Sequence, residues 1–289
     1  MKIAASILDC KDRIKGVMDL NRTNVSYIHI DVMDGKFVPS VQFDNIGQIK
    51  GVNLVTKYPL DVHLMMDNPA DYIKELGNMN IEFITIHLEI DKDKKEIFKS
   101  IRDLGYKVGL SIKPNTSVEE IVPYLDDIDM VLVMCVEPGL GGQKFIEGTV
   151  DRIKELKELI GERNILIEVD GGVNKDNIDK LDNVDIAVVG SYITKSDNYY
   201  ERVEELLNPK EKINEGSNTE NVDDNKRIIK VFRYLFYGLI LLFFILLILA
   251  CLFSEGNSAD GWGFIVFMPL ILIGPIGGYL YIVDIFLKK

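Results

Sequence analysis

Short apolar or β-branched runs recur through the first part of the chain, at Lys2–Ile7, Tyr27–Val32, Leu60–Leu64, Phe83–Ile86, Lys107–Ile112, Met130–Met134, Ile165–Val169 and Ile186–Val189. Each is four to six residues long, the length of a strand and too short for a helix. Amphipathic stretches such as Asp91–Leu104 and Thr149–Ile160 separate them. In the second, Val150, Ile153, Leu156, Leu159 and Ile160 recur at helical spacing. Strands alternating with helices predict parallel pairing through right-handed crossovers. Eight such units within residues 1–208 suit a closed (β/α)8 TIM barrel better than an open sheet. In such a barrel, chemistry belongs at the carboxyl ends of the strands.

Beyond Asn208 the pattern changes. Residues 209–225, PKEKINEGSNTENVDDN, are polar and lack apolar periodicity, which predicts a linker. Tyr234–Phe253 is an uncharged run of 20 residues, which as a helix spans about 30 Å, the thickness of a bilayer's hydrocarbon core. A second uncharged run, Gly261–Val283, contains Pro269, Gly274, Pro275, Gly277 and Gly278, which lipid-embedded helices tolerate better than soluble ones. Both are expected to be transmembrane α-helices; the alternative is a pair of buried core helices. Lys226, Arg227, Lys230 and Arg233 precede the first run and Lys288 and Lys289 follow the second, while the turn between them carries only acidic charge. By the positive-inside rule the barrel and the C-terminus face the cytoplasm. The expected organisation is therefore a barrel over residues 1–208, a linker over 209–225 and a membrane hairpin over 226–289.

Charge sharpens the division. The net charge of −12 arises entirely in residues 1–208, where 25 basic residues face 37 acidic ones. This argues against nucleic acid as a partner, because a duplex binder needs a basic face to displace counterions. Cys10, Cys135 and Cys251 are too few and too scattered for a disulfide framework. The start, MKIAASILDCKDR, is not expected to be a signal peptide, since Asp9 breaks its short apolar run.

The three histidines all lie in or just after predicted strands: His29, His63 and His87. Asp31 follows His29 by two residues, which turns both side chains to one side of a strand. Asp170 ends the seventh run. At a barrel mouth His29, Asp31, His63 and Asp170 are expected to converge as two imidazoles and two carboxylates, a set suited to zinc or another divalent transition metal. Glycine-rich turns follow the last three strands, EPGLGGQ at Glu137–Gln143, DGGV at Asp170–Val173 and Gly190–Ser191. Glycine lets backbone amides approach an anion closely, so these turns are expected to grip a phosphate.

An ordered series of motifs resembles the ribulose-phosphate 3-epimerases: SIL at Ser6–Leu8, HIDVMDGKFVP at His29–Pro39, DVHLMM at Asp61–Met66, TIHLE at Thr85–Glu89, GLSIKPNTS at Gly109–Ser117, VMCVEPGLGGQKF at Val133–Phe145, VDGGV at Val169–Val173 and GS at Gly190–Ser191. The resemblance spans residues 1–207 and implies the same barrel fold. It also implies one divalent metal per subunit on His29, Asp31, His63 and Asp170, zinc first, with iron, manganese or cobalt as alternatives. Asp31 and Asp170 are implied as the two acid/base residues that epimerise D-ribulose 5-phosphate to D-xylulose 5-phosphate through a 2,3-enediolate. Ser6 and His63 match substrate contacts, and Met33, Met65 and Met134 match positions lining the reacting carbon, with ordinary packing as the alternative. Gly139, Gly141, Gly142, Gly171, Gly172, Gly190 and Ser191 match the phosphate grip. His87 matches a recurrent histidine that is not a metal ligand, for which a structural hydrogen bond is expected.

The chain departs from the family pattern at VQFDN after FVPS and at DCKD, Asp9–Asp12. Both affect the rim of the mouth. The hairpin beyond Pro209 is not part of that pattern. Expected partners are a phosphorylated ketose, a lipid bilayer and a possible second copy of the chain. Two other readings stand beside the pentulose-phosphate epimerase: an epimerase for a related ketose phosphate such as allulose 6-phosphate, and a non-catalytic membrane scaffold. Retention of both carboxylates and every expected ligand weighs against the scaffold.

Overall fold

Along residues 1–208, the part of the chain that the computed structural model describes, strands and helices alternate from the start. The order is β1 (Lys2–Ser6), α1 (Arg13–Leu20), β2 (Tyr27–Asp34), β3 (Val41–Gln42), α2 (Ile46–Val55), β4 (Leu60–Met65), α3 (Ala70–Leu76), β5 (Ile81–His87), α4 (Lys94–Asp103), β6 (Lys107–Ile112), β7 (Met130–Met134), α5 (Thr149–Ile160), β8 (Leu166–Asp170), β9 (Ile186–Val189), α6 (Ser191–Thr194) and α7 (Tyr199–Leu207). Eight strands pair in parallel in the order β1, β2, β4, β5, β6, β7, β8, β9, and β9 returns to β1 to close a (β/α)8 barrel. The remaining strand, β3, is antiparallel to the end of β2 at the rim.

Local chemistry explains the boundaries. Helix α4 begins at Lys94, later than the sequence pattern suggests, because the Asp93 side chain accepts from the amides of Lys95 and Glu96 and so caps the first turn. Its buried face is Ile97, Phe98 and Ile101. Two crossovers are tighter than the alternation predicts: Val118–Tyr124 and Ile178–Lys180 are 3₁₀ turns. In the first, Pro123 lacks the amide proton that an α-helix interior requires.

The period of two divides each barrel strand between two environments. Ile28, Ile30 and Val32 of β2 pack outward with helix residues such as Ile49, Val52 and Ile97. Tyr27, His29, Asp31 and Met33 alternate with them and face inward. At the amino end the interior is an apolar plug of Ala4, Tyr27, Phe83, Met130, Ile186 and Val188, with the Tyr27 and Phe83 rings edge to face at 5.8 Å. The plug closes the barrel floor and leaves the carboxyl end for polar side chains.

The expected linker at 209–225 and the expected spans at 234–253 and 261–283 lie outside the described residues. Among the described residues no helix is long and apolar enough to cross a membrane.

Phe83 is fully buried and Leu54 is 83 % exposed. Phe83→Ala should therefore lower stability by about 3–5 kcal/mol, whereas Leu54→Ala should stay within about 0.5 kcal/mol of the parent. Denaturant unfolding of the two variants checks this, and equal losses would count against a packed barrel floor.

Candidate active site

Strand register brings the polar residues together. On adjacent β2 and β4, His29 lies opposite Asp61, Asp31 opposite His63, and Met33 opposite Met65. Ser6, at the end of β1, pairs with His29, and Asp170 ends β8. One ligand atom from each of His29, Asp31, His63 and Asp170 lies within 4.8 Å of the others. His29 Nε2 is 3.4 Å from Asp31 Oδ1, and His63 Nδ1 is 3.6 Å from the same oxygen and 3.9 Å from Asp170 Oδ2. These separations are too long for good hydrogen bonds. Ser6 Oγ donates to Asp31 Oδ2 at 2.9 Å and fixes that carboxylate from behind.

The donor set fits a divalent transition metal. His29 Nε2 and His63 Nδ1 are buried ring nitrogens without a hydrogen-bond partner, both directed at the carboxylates. Leaving such atoms unsatisfied is costly, and two imidazoles with two carboxylates match the ligand preferences of zinc and its neighbours. The other nitrogen of His29, Nδ1, is 2.5 Å from Asp61 Oδ2, the carboxylate support typical of a metal-binding histidine.

Proton affinities are spread unequally. Burial works against ionised Asp31, but His29 and His63 outweigh it and hold its pKa below the usual carboxylate range. Burial, reinforced by the Asp31 charge, pushes Asp170 up to about 6. His29 is disfavoured as a cation by burial, yet Asp61 and Asp31 raise its pKa well above the ordinary imidazole value. Deeper in the barrel, burial and then the neighbouring Asp61 charge keep Glu168 protonated far above the normal range.

His87 stands outside the four-residue cluster. Its Nε2 lies 2.9 Å from His63 Nε2 and its Nδ1 3.1 Å from Glu89 Oε2. Burial lowers its pKa to about 4. Asp61, Glu168 and Glu89 belong to this polar layer but were not singled out by sequence pattern. Asp61 and Glu168 lie two residues before His63 and Asp170 within β4 and β8, so strand alternation places them inward too, whereas Glu89 lies just past the end of β5.

Above the cluster opens a cavity of about 390 Å³. Ser6, Asp31, Met33, Met65, Met134 and Asp170 line its floor, while His29 and His63 are fully buried and do not line it. Gly139, Gly141, Gly142, Gly171, Gly172, Gly190 and Ser191 all border the same cavity. Two of these glycines are sterically required. At Gly171 (φ 114°) a Cβ would meet Val136 at 2.4 Å, and at Gly172 (φ 70°) it would meet the Phe145 amide nitrogen at 2.4 Å. The departure at DCKD has a role at this rim: Asp9 pairs with Lys195 at 3.2 Å beside Gly141 and Gly142, and Asp12 caps α1 by accepting from the Lys15 amide. At the other departure Phe43 is buried with φ 49°, and Arg13 stacks 4.2 Å over its ring.

Comparison with known proteins gives a consistent picture. The Ribulose-phosphate 3 epimerase family matches residues 2–194. A ribulose-phosphate 3-epimerase of Bacillus subtilis (strain 168) is 39% identical over 181 residues, covering 61% of this chain and 83% of the relative. One from Helicobacter pylori (strain ATCC 700392 / 26695) is 36% identical over 219 residues, covering 74% of this chain and 100% of the relative. Among solved structures, 3-hexulose-6-phosphate synthase from Salmonella typhimurium superposes with a TM-score of 0.53 at 17% identity, covering 72% of this chain and 98% of that one. Orotidine 5'-monophosphate decarboxylase from Methanocaldococcus jannaschii gives 0.51 at 16% identity, covering 71% and 97%. At these identities the structural likeness concerns the fold alone.

The proton inventory sets the pH dependence of metal uptake. Asp170, with its pKa near 6, and His29, with its raised pKa, must each lose a proton to become ligands. Zinc affinity should therefore fall by about one log unit per pH unit below the raised pKa of His29, and more steeply once Asp170 also takes a proton below about 6. Chelator competition between pH 5 and 8 measures it, and a flat profile would contradict the four-ligand assignment.

Proposed function

The chain belongs to the ribulose-phosphate 3-epimerase family, and on that premise we propose that it interconverts D-ribulose 5-phosphate and D-xylulose 5-phosphate at the cytoplasmic face of a membrane. The observation that carries the reaction is the pairing of two carboxylates with unequal proton affinity, Asp31 and Asp170, on the floor of one cavity. Epimerisation needs one group to take a proton from one face of C3 and another to return one to the opposite face, and two carboxylates on one cavity supply that pair. One carboxylate takes the C3 proton. The C–H electron pair forms the C2=C3 double bond and the carbonyl π pair moves onto the C2 oxygen, giving a 2,3-enediolate. The opposite acid then delivers a proton to the other face of C3, so configuration inverts without net oxidation or reduction. Because the two acids interact closely, their proton affinities belong to the pair.

His29, Asp31, His63 and Asp170 are the residues that would hold a divalent metal, zinc before iron, manganese or cobalt. Such an ion supplies Lewis-acid stabilisation of negative charge on the sugar oxygens. Met33, Met65 and Met134 are 1–2 % exposed, and they keep stray water from protonating the carbanionic carbon on the wrong face. Ser6 holds Asp31 in place. Gly139, Gly141, Gly142, Gly171, Gly172, Gly190 and Ser191 offer backbone at one side of the cavity for a phosphate, which an acidic domain must grip by local groups.

Membrane attachment rests on the charge-free runs at 234–253 and 261–283, joined to the barrel through 209–225. Their length and the basic residues outside them support a hairpin with both ends in the cytoplasm.

In D2O the metal-loaded protein should place one deuterium at C3 of xylulose 5-phosphate per turnover. Asp31→Asn and Asp170→Asn should each lower kcat by about 10²–10⁴-fold. Turnover surviving Asp170→Asn would refute the two-acid mechanism. Faster turnover of allulose 6-phosphate than of the pentulose would shift the substrate assignment, and no turnover of either would favour the scaffold. Separately, the full chain should remain in the membrane pellet after alkaline washing, and a chain lacking residues 209–289 should not. Equal partitioning of the two would refute the tether.

A further inference from the structure

On the side of His63 away from the cavity, a line of groups runs through the buried His87 to the half-buried Glu89. His63 Nε2 and His87 Nε2 are 2.9 Å apart, and both rings are fully buried. Two ring nitrogens at that distance share one proton: two protons would clash and none would leave two lone pairs opposed. The direction of that hydrogen bond decides which nitrogen of His63 is bare.

Glu89 is placed to decide it. Its Oε2 lies 3.1 Å from His87 Nδ1. Its Oε1 accepts from the Lys113 amide at 2.7 Å and from Thr116 Oγ1 at 2.5 Å. A carboxylate can only accept, so His87 Nδ1 must carry the proton it donates to Glu89. Neutral His87 then has a bare Nε2, which accepts from His63 Nε2–H. His63 in turn is left with a bare Nδ1, the nitrogen facing Asp31 and Asp170. The His63–His87 contact is shielded from solvent, both rings being fully buried and the Phe37 ring lying 4.6 Å from the His87 ring with Lys113 Nζ 3.9 Å over Phe37.

We propose that Glu89 is a positioning residue that acts through His87 to fix the tautomer of His63, keeping His63 Nδ1 free as a metal ligand. The two imidazoles of the site are then both backed by carboxylates, His29 directly by Asp61 and His63 at one remove by Glu89. This inference rests on reading the four-residue cluster as a cation site, and its test separates the two. Neither Glu89 nor His87 lines the cavity, so changing Glu89 leaves the substrate-facing surface in place.

The informative variant is Glu89→Gln. Lys113 and Thr116 claim the amide oxygen, which turns the amide NH2 toward His87 Nδ1. That reverses every bond in the line: His87 Nδ1 accepts, His87 Nε2 donates, and the His63 proton moves to Nδ1, the wrong nitrogen. Zinc affinity of the full-length chain, read by chelator competition, should fall by about 10–100-fold. With only three histidines in the chain, 15N labelling of histidine resolves the rings. The metal-free parent should show His63 protonated at Nε2 and His87 at Nδ1, and metal-free Glu89→Gln should show both reversed. A variant binding zinc within twofold of a zinc-binding parent would overturn the relay and leave the cation site standing. A parent that takes up no zinc would overturn the cation reading, and the relay with it. Should the variant fold poorly, the spectrum of the metal-free parent decides, since His63 protonated at Nδ1 there is incompatible with the proposal.

Discussion

Two carboxylates set within 4.8 Å of each other on one cavity repel, and the surrounding structure is organised around that repulsion. At an effective dielectric of about 20, like charges at such a distance cost about 3–4 kcal/mol. The protein answers in three ways. Asp31 accepts from Ser6 and lies beside His29, whose positive charge favours its ionised form, while Asp170 holds its proton more tightly. Below them Glu168 is kept neutral, so it adds no further charge to the interior. Two imidazole nitrogens without a hydrogen-bond partner then complete a set of ligand atoms for a cation. The same repulsion that makes the site expensive to build makes it useful, because it separates an acid from a base at one pH.

The fold was legible because parallel barrel strands are buried on both faces and read as short, uninterrupted apolar runs. Tyr27–Val32 in the sequence pattern became Tyr27–Asp34 in the structure, since the charged Asp34 ends the hydrophobic signal before the strand ends. Met130–Met134 and Ile186–Val189 kept their bounds, having no charged residue within them. The two 3₁₀ crossovers were not legible in the alternation alone. Val118, Ile121 and Ile178 bury as helical residues do, but the local hydrogen bonding that tightens the turns depends on Pro123 and on the short distance left between strands.

For the site, the first layer was readable because histidine is scarce and aspartate at a strand end is out of place among apolar neighbours. The layer behind it was hidden by its ordinary composition. Glu89 follows a strand and looks like any surface acid until Lys113 and Thr116, more than twenty residues later, are seen donating to it. Lys195 is equally unremarked in SYITK, and only the closing of the ring brings it to Asp9. Contacts between distant strands are set by three-dimensional register, which local pattern does not encode.

That ring closure has a temporal side. The seam runs between β1 and β9, so the first strand to be synthesised has one permanent neighbour early and must wait for nearly the whole barrel to gain the other. Ser6, Asp31, His63 and Asp170 belong to four strands spread over that interval, and pairings of such long sequence separation form late and together. A ribosome-bound chain that ends before β9 therefore carries all four residues of the His/Asp cluster without the closed ring that holds them. Competence to do chemistry arrives in one step, when the cylinder shuts.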